Sequence, residues 1–389
     1  MRYAILFVLS VAAAVPAAAQ VPPNIEAELH KIGQIVDPAC TAKLYRPLMP
    51  KNDFNTYWPP DAPQVASTAP LYPGVTIVRD QSFGPNAKDV LDIFVGEKGG
   101  KNRPVVIYVA GGAGNKIEQQ VRESNAFYDN IGRWATKNGM VGVLVQRHPG
   151  SGNWDDGGRD LSLAVDWIKD NIAKHNGDPA HMVIWAHSAG NGPLGVYIGH
   201  PERWKNGVQV QGAIFMSGNP VPTAGAAGGG AGRGGFGAPG AAQPGVACGL
   251  TGASMTSTEG HISGPSGFTA AAAAGAGRGG PGGRGGPELT AEQRAERDNL
   301  PGFKKSNVKI ALAYAELDPG IMNAQMPANV VALHDEMCKE DGAAAKDGKG
   351  HCPEMWMLKG ESHMSEVFSI DTPDQTVSKP VLAFVKKVK

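Results

Sequence analysis

Apolar and polar positions alternate along this chain with two different periods. Around Val75 the period is two. The runs "TIVRDQSF" and "DVLDIFVG" flank "GPNAK", which predicts a β-hairpin. From Pro104 the apolar run becomes continuous. "PVVIYVAGG" is β-branched and ends in glycines, the pattern of a strand covered on both faces. "GVLVQRH", "HMVIWAHS", "VQGAIFMSG", "VKIALAYAELD" and "EMWMLKGESH" extend the set of strands. Between them the period lengthens to that of a helix. In "DLSLAVDWIKDNIAKHNGD", Leu161, Ala164, Val165, Ile168 and Ile172 fall on one helical stripe, and "NGD" ends it. Residues 118–138 carry a second amphipathic pattern, and Pro327 opens a third over "ANVVALHDEMCKEDG". In the tail, Thr372 and Gln375 stand at capping-box spacing, and Pro380 predicts a kink or restart.

Strands alternating with helices predict an α/β fold, a mostly parallel central sheet flanked by helices. Such sheets bind ligands beyond the carboxyl ends of their strands, so functional residues are sought just after each strand. Residues 1–19 read as a signal peptide: Arg2, the short apolar run "YAILFVLSVAAAV", then Pro16 and small residues before Gln20. Residues 20–74 read as a proline-rich N-terminal arm, and 75–218 and 302–389 as two parts of one catalytic domain. The intervening 219–301 carry "AGAAGGGAGRGGFGAPGAAQPG" and "AAAAGAGRGGPGGRGGPE". That composition cannot bury enough apolar surface to offset its ordering entropy, which predicts a flexible insertion after the sixth core strand.

The 389 residues are 42% apolar, enough for a substantial core. Lysine plus arginine balance aspartate plus glutamate, 36 against 36, so charge gives no reason to expect nucleic acid or an anionic membrane as partner. The Arg-Gly-Gly repeats could suggest RNA contact, but the arginines and aromatics are few and the chain opens with an export signal, which argues against it. A cleaved signal implies a soluble protein, periplasmic or secreted, with no membrane partner after cleavage. Export permits disulfides. Cys40, Cys248, Cys338 and Cys352 allow three pairings; Cys338–Cys352 with Cys40–Cys248 is favoured because the first closes a short loop. The cysteine spacings match no zinc site, and no cofactor motif is present.

The chemistry centres on "VIWAHSAGNG", where a buried strand runs into a helix start at Ser188. A turn tight enough to expose that hydroxyl forces a strained backbone and needs tiny residues two before and two after, here Ala186 and Gly190. The usual pentapeptide is G-x-S-x-G, and this one departs from it by a single methyl. A serine capping a helix is the plainer alternative. A serine hydroxyl needs a base to take its proton and an acid to orient that base. Asp318 ends "KIALAYAELD" and His363 follows "EMWMLKGES", both at strand ends and in the order serine, acid, histidine. Glu316 is an alternative acid. Of the ten histidines, His187 is predicted to point away from the turn; His175 and His181 sit at the other sheet end, His334 lies in a helix and His351 before a strand. For the oxyanion, "VAGGAGN" offers backbone N–H groups of Gly112 and Ala113, with Gly111 permitting the bend, and Ala189 supplies another. Trp58, Trp154 and "QRHPGSGNW" are candidates for the entrance or plain packing.

These residues resemble the carboxylesterase branch of the α/β-hydrolases, including hormone-sensitive-lipase-like esterases and bacterial feruloyl or acetyl-xylan esterases. The resemblance rests on "VVIYVAGGAG", "DLSLAVDWIKDNIAKHNGDPAHMVIWAHSAG", "YAELDPG" and "GESHMSE", and covers about residues 75–218 and 302–389. It implies an ester-hydrolysing triad of Ser188, Asp318 and His363. Its oxyanion loop usually begins His-Gly-Gly, and Ala110 stands at the histidine. Relatives carry a lid where the insertion falls. The resulting expectation is a serine carboxylic-ester hydrolase without cofactor or metal, acting on a small-molecule or polysaccharide-linked ester. Amide cleavage on the same triad, or an inactive binding protein of the same fold, are the alternatives.

Overall fold

The strands form in the order the apolar runs dictate: β1 (Val75–Ser82), β2 (Val90–Gly96), β3 (Arg103–Val109), β4 (Val141–Val145), β5 (Gly177–His187), β6 (Gly212–Met216), β7 (Lys309–Leu317) and β8 (Glu354–Ser362). The structure is a computed structural model and describes residues 20–36, 38–49, 72–111, 128–147, 153–220, 289–319, 326–339 and 350–388. The segment read as a signal peptide and most of the insertion lie outside those residues. One sheet of 8 strands results, ordered β1-β2-β4-β3-β5-β6-β7-β8. β2 is antiparallel to both β1 and β4, whereas β4, β3, β5, β6, β7 and β8 run parallel. The hairpin is offset by a register shift between Val78 and Gln81.

The described helices, in chain order, are α1 (Pro23–Ile32), α2 (Pro38–Tyr45), α3 (Asp129–Lys137), α4 (Asp156–Asn171), α5 (Asn191–Gly199), α6 (Ala291–Glu296), α7 (Leu300–Lys305), α8 (Met326–Lys339), α9 (Ser365–Phe368) and α10 (Ser378–Lys387). They cover both sheet faces, which is why the parallel strands are apolar throughout. The pleat sorts each run between two cores. Val106, Tyr108, Val183 and Trp185 pack on one face with Leu29, Tyr45, Trp134 and Phe384. Val105, Ile107, Met182 and Ile184 pack on the other with Leu161, Ile168, Tyr197 and Phe303. Each large side chain so buried contributes about 1.5–3 kcal/mol. Tyr108 and Trp185 meet edge to face at 5.3 Å.

Three local expectations change. Thr372 does not cap the last helix: its hydroxyl donates to Ser369 O and accepts from Asp374 N, closing a turn, and α10 begins at Ser378. Pro380 sits in that helix's first turn, where no intrahelical N–H bond is lost. The end of the low-complexity stretch is ordered. A capping box formed by Thr290 and Gln293 starts α6, and buried Asn299 donates from Nδ2 to Pro220 O at 2.7 Å, so the two ends of the insertion meet. Cys338 and Cys352 are joined in a disulfide. Cys40 is also disulfide-bonded, and Cys248 lies outside the described residues.

Among the described residues, no helix is long and apolar enough to cross a membrane. The arm contributes α1 and α2. Val21 and Glu26 face Gly360 of β8, and Tyr45 donates to Asp374 Oδ2 at 2.8 Å.

Candidate active site

The register aligns the carboxyl ends of β3, β5 and β6, pairing Val109 with Ala186 and Ala186 with Phe215. Immediately beyond β5 the chain reverses at Ser188, whose φ is 53°. A left-handed backbone at a non-glycine residue costs about 1–2 kcal/mol and lifts the hydroxyl clear of the sheet. A 3-10 turn, Ser188–Gly190, leads directly into α5. A methyl at Gly190 would stand 2.7 Å from Val109 O and 3.0 Å from Ala110 O, so only hydrogen fits. Ala186 needs no such clearance. Its methyl is fully buried in the second apolar core, which explains why the departure from glycine is harmless to the turn. Asn191 ties the bend down, donating from Nδ2 to Ser188 O and Met216 O, both at 2.8 Å.

Two further strands bring their residues to the same place. Asp318 directly follows β7 and His363 directly follows β8. His363 Nε2 lies 2.9 Å from Ser188 Oγ, and His363 Nδ1 lies 2.8 Å from Asp318 Oδ1. One neutral tautomer satisfies both contacts: Ser188 donates to Nε2 and Nδ1 donates to the carboxylate. All three side chains are buried. Glu316 is engaged elsewhere, accepting from Gly360 N at 2.7 Å.

The other sequence candidates are scattered. Of the residues expected to donate to an oxyanion, Ala189 lies within the 3-10 turn, while Gly112 and Ala113 lie outside the described residues. Gly111 is described, and a methyl there would be 2.7 Å from Ser188 Cβ, so the turn after β3 abuts Ser188. Trp154 packs edge-on against His200 at 4.9 Å and under the Arg203 guanidinium at 4.6 Å; Trp58 lies outside the described residues. His181 meets Val385 O, and His334 lies in α8 beside Asp335.

His187 is turned from the serine hydroxyl yet takes part in the site. Its Nε2 donates to His363 O at 2.9 Å, and its ring centroid is 4.7 Å from that of His363. Burial, and then the neighbouring His363, hold its pKa well below the usual histidine range, so it is neutral.

Sequence reasoning missed Ser217 and Glu366 here, and reached Arg147 only as part of "QRHPGSGNW". Ser217, at a φ of 46°, places Oγ 2.7 Å from Asp318 Oδ2 and 2.7 Å from Glu366 Oε1. Ala315 N donates to the same Asp318 oxygen at 2.9 Å. Glu366 is fully buried, and burial followed by Asp318 pushes its carboxyl well above the usual range. Arg147, just past β4, donates from Nε to Ala110 O at 2.8 Å. Ser217 and Arg147 both follow strands, so the strand-end rule reaches them once it is extended beyond nucleophile, base and acid.

Among the described residues, two groups have metal-ligand residue types within 4.8 Å: His187, His363 and Glu366, and His334, Cys338 and Cys352. In the first, both His363 nitrogens are already engaged; in the second, the sulfurs form a disulfide.

The family model described as "Carboxylesterase family" matches residues 90–226. Lipase 5 of Diutina rugosa is 29% identical over 161 residues, 37% of this chain and 29% of that protein. A secreted triacylglycerol lipase of Gibberella zeae is 30% identical over 158 residues, 35% of this chain and 26% of that protein. The chain thus spans less than a third of the length of these curated relatives. Esterase B from Lactobacillus rhamnosis shares the fold at a TM-score of 0.50 and 11% identity, over 94% of this chain and 95% of that one. A second solved esterase does so at 0.50 and 15%, over 96% of this chain and 98% of that one. Residues 90–226 thus match the carboxylesterase family model, and the chain as a whole has the fold of the solved esterases.

Proposed function

We propose that this protein is an exported serine hydrolase that cleaves carboxylic esters through an acyl-enzyme intermediate. The observation that carries the reading is the hydrogen-bonded series Ser188 Oγ, His363 Nε2, His363 Nδ1, Asp318 Oδ1, at 2.9 and 2.8 Å. His363 takes the Ser188 proton as Oγ attacks the ester carbonyl. Asp318 stabilises the imidazolium that forms. Backbone N–H groups of Ala189, Gly112 and Ala113 receive the oxyanion. His363 returns the proton to the departing alkoxide, then activates the water that releases the acid. The strained φ of Ser188 supports a nucleophile's place. The ester is a small molecule or a group linked to a polysaccharide. Export rests on residues 1–19, and the secreted relative from Gibberella zeae agrees with it.

Replacing Ser188 by alanine tests this. With a short-acyl nitrophenyl ester, turnover should fall by roughly 10⁴-fold or more while circular dichroism stays unchanged. A fluorophosphonate should label the natural protein and spare the variant. Full turnover in Ser188→Ala overturns the assignment. Faster cleavage of a matched amide than of the ester would favour the amidase reading, and a folded protein that refuses the label would favour a binding role.

A further inference from the structure

We infer that Arg147 is a positioning residue: its guanidinium clamps the Ala110–Gly111 turn against Ser188 and so sets the oxyanion side of the site. The inference rests on the serine-hydrolase reading above. Arg147 follows β4 and is 5% exposed. Nε donates to Ala110 O at 2.8 Å, and Nη2 lies 3.4 Å from Gly111 O. Consecutive carbonyls of one turn are thus held by one planar fork. A trans peptide points its N–H opposite its carbonyl, so holding the Ala110 oxygen also fixes where the Gly111 N–H points.

The clamped turn also packs against the Ser188 turn. Ala110 O lies 3.0 Å from where a methyl at Gly190 would stand, and a methyl at Gly111 would stand 2.7 Å from Ser188 Cβ and 3.1 Å from His187 O. Arg147, the turn and the nucleophile elbow therefore form one packed stack. The residues assigned as oxyanion donors, Gly112 and Ala113, come next in the sequence. A buried guanidinium carries a desolvation penalty and persists where its donors meet well-placed acceptors. Its pKa is pushed down to about 10, chiefly by burial, while Asp160 pulls the other way, so it stays charged at neutral pH. Lysine cannot replace it in kind, because an ammonium is a point donor without the fork.

The test compares Arg147→Lys and Arg147→Ala with the natural full chain, using a short-acyl nitrophenyl ester and fluorophosphonate labelling. Misplaced oxyanion donors act on the transition state, so kcat should fall roughly tenfold or more with KM within about threefold. Labelling should slow in parallel, and guanidinium at low millimolar concentration should restore part of kcat to Arg147→Ala. If the alanine variant does not fold, Arg147→Lys carries the comparison. Unchanged kcat in Arg147→Lys overturns the inference, as does failure of both variants to fold, which marks a purely structural role. A natural protein that neither turns over ester nor labels overturns the serine reading, and the clamp with it.

Discussion

Glu366 Oε1 lies 2.7 Å from Ser217 Oγ, and the same hydroxyl lies 2.7 Å from Asp318 Oδ2. A hydroxyl has one proton to give. Both contacts are hydrogen bonds when Ser217 donates to Asp318 and a protonated Glu366 donates to Ser217. Burial and the nearby Asp318 both favour that neutral Glu366. A raised carboxyl pKa has a definite sign in stability. The folded state holds a proton that the unfolded chain releases, so stability falls as pH climbs from the ordinary glutamate value of 4.5 toward the folded pKa. A tenfold gain in proton affinity on folding corresponds to about 1.36 kcal/mol. Glu366→Gln keeps a donor and abolishes the titration. Its melting temperature relative to the natural protein should therefore rise from pH 5 to pH 8. A constant difference across that range would show Glu366 ionised in the fold.

Gly190 is held between carbonyls at 2.7 and 3.0 Å from its would-be methyl, and backbone cannot yield as a side chain can. Gly190→Ala should push the Ser188 turn away from β3, costing about 1–3 kcal/mol of stability. Because His363 reaches Ser188 at 2.9 Å, a displaced turn should also cost kcat about 100-fold. Urea denaturation and ester kinetics on the purified variant check both. Natural-like values in each would mean that the elbow yields to a methyl without moving its serine.

Asn299 closes the base of the insertion. Its Nδ2 donates to Pro220 O at 2.7 Å and its Oδ1 accepts from His200 Nε2 at 3.0 Å, all of it buried. Asn299→Ala strands two partners without water, each at about 1–3 kcal/mol. His200→Ala removes one of the same bonds, so the double variant should lose less than the sum of the singles. Additive losses in a denaturation cycle would place the two residues in separate networks.

Periodicity made the sheet legible. Runs such as "PVVIYV" are apolar on both pleat faces, and the structure divides Val106 and Tyr108 from Ile107 and Val109 between two cores. The strand-end rule picked out Ser188, Asp318 and His363, which the structure brings together, because a parallel sheet gathers the ends of distant segments. What periodicity could not give were the contacts of isolated polar residues. Thr372 and Gln375 have capping-box spacing, yet the helix begins later because Thr372 bonds Ser369 and Asp374 first. Asn299 lies in the charged segment "AEQRAERDNLP" that closes the insertion, where composition gives no hint of a buried amide. Glu366 closes "GESHMSE" with no pattern that marks it, and only three-dimensional proximity to Ser217 shows it as a buried acid.

Tyr45 joins the N-terminal arm to the segment that precedes α10. Its hydroxyl donates to Asp374 Oδ2 at 2.8 Å, and Asp374 also shares a hydrogen bond with Glu361, two residues before His363. Two carboxyls in contact need a proton between them, and burial pushes both above the ordinary range, Glu361 most. Stability from this cluster therefore falls with rising pH above the unfolded carboxylate values. The Tyr45 hydroxyl opposes the rise at Asp374, since its donated bond favours the ionised form. Tyr45→Phe removes that bond without opening a cavity. Asp374 should then titrate higher still, and the loss of stability should grow with pH: about 1 kcal/mol at pH 5 and more at pH 8. Melting temperatures at both pH values decide it. A loss that shrinks as pH rises would mean that Tyr45 stabilises the protonated acid, reversing the direction of the bond.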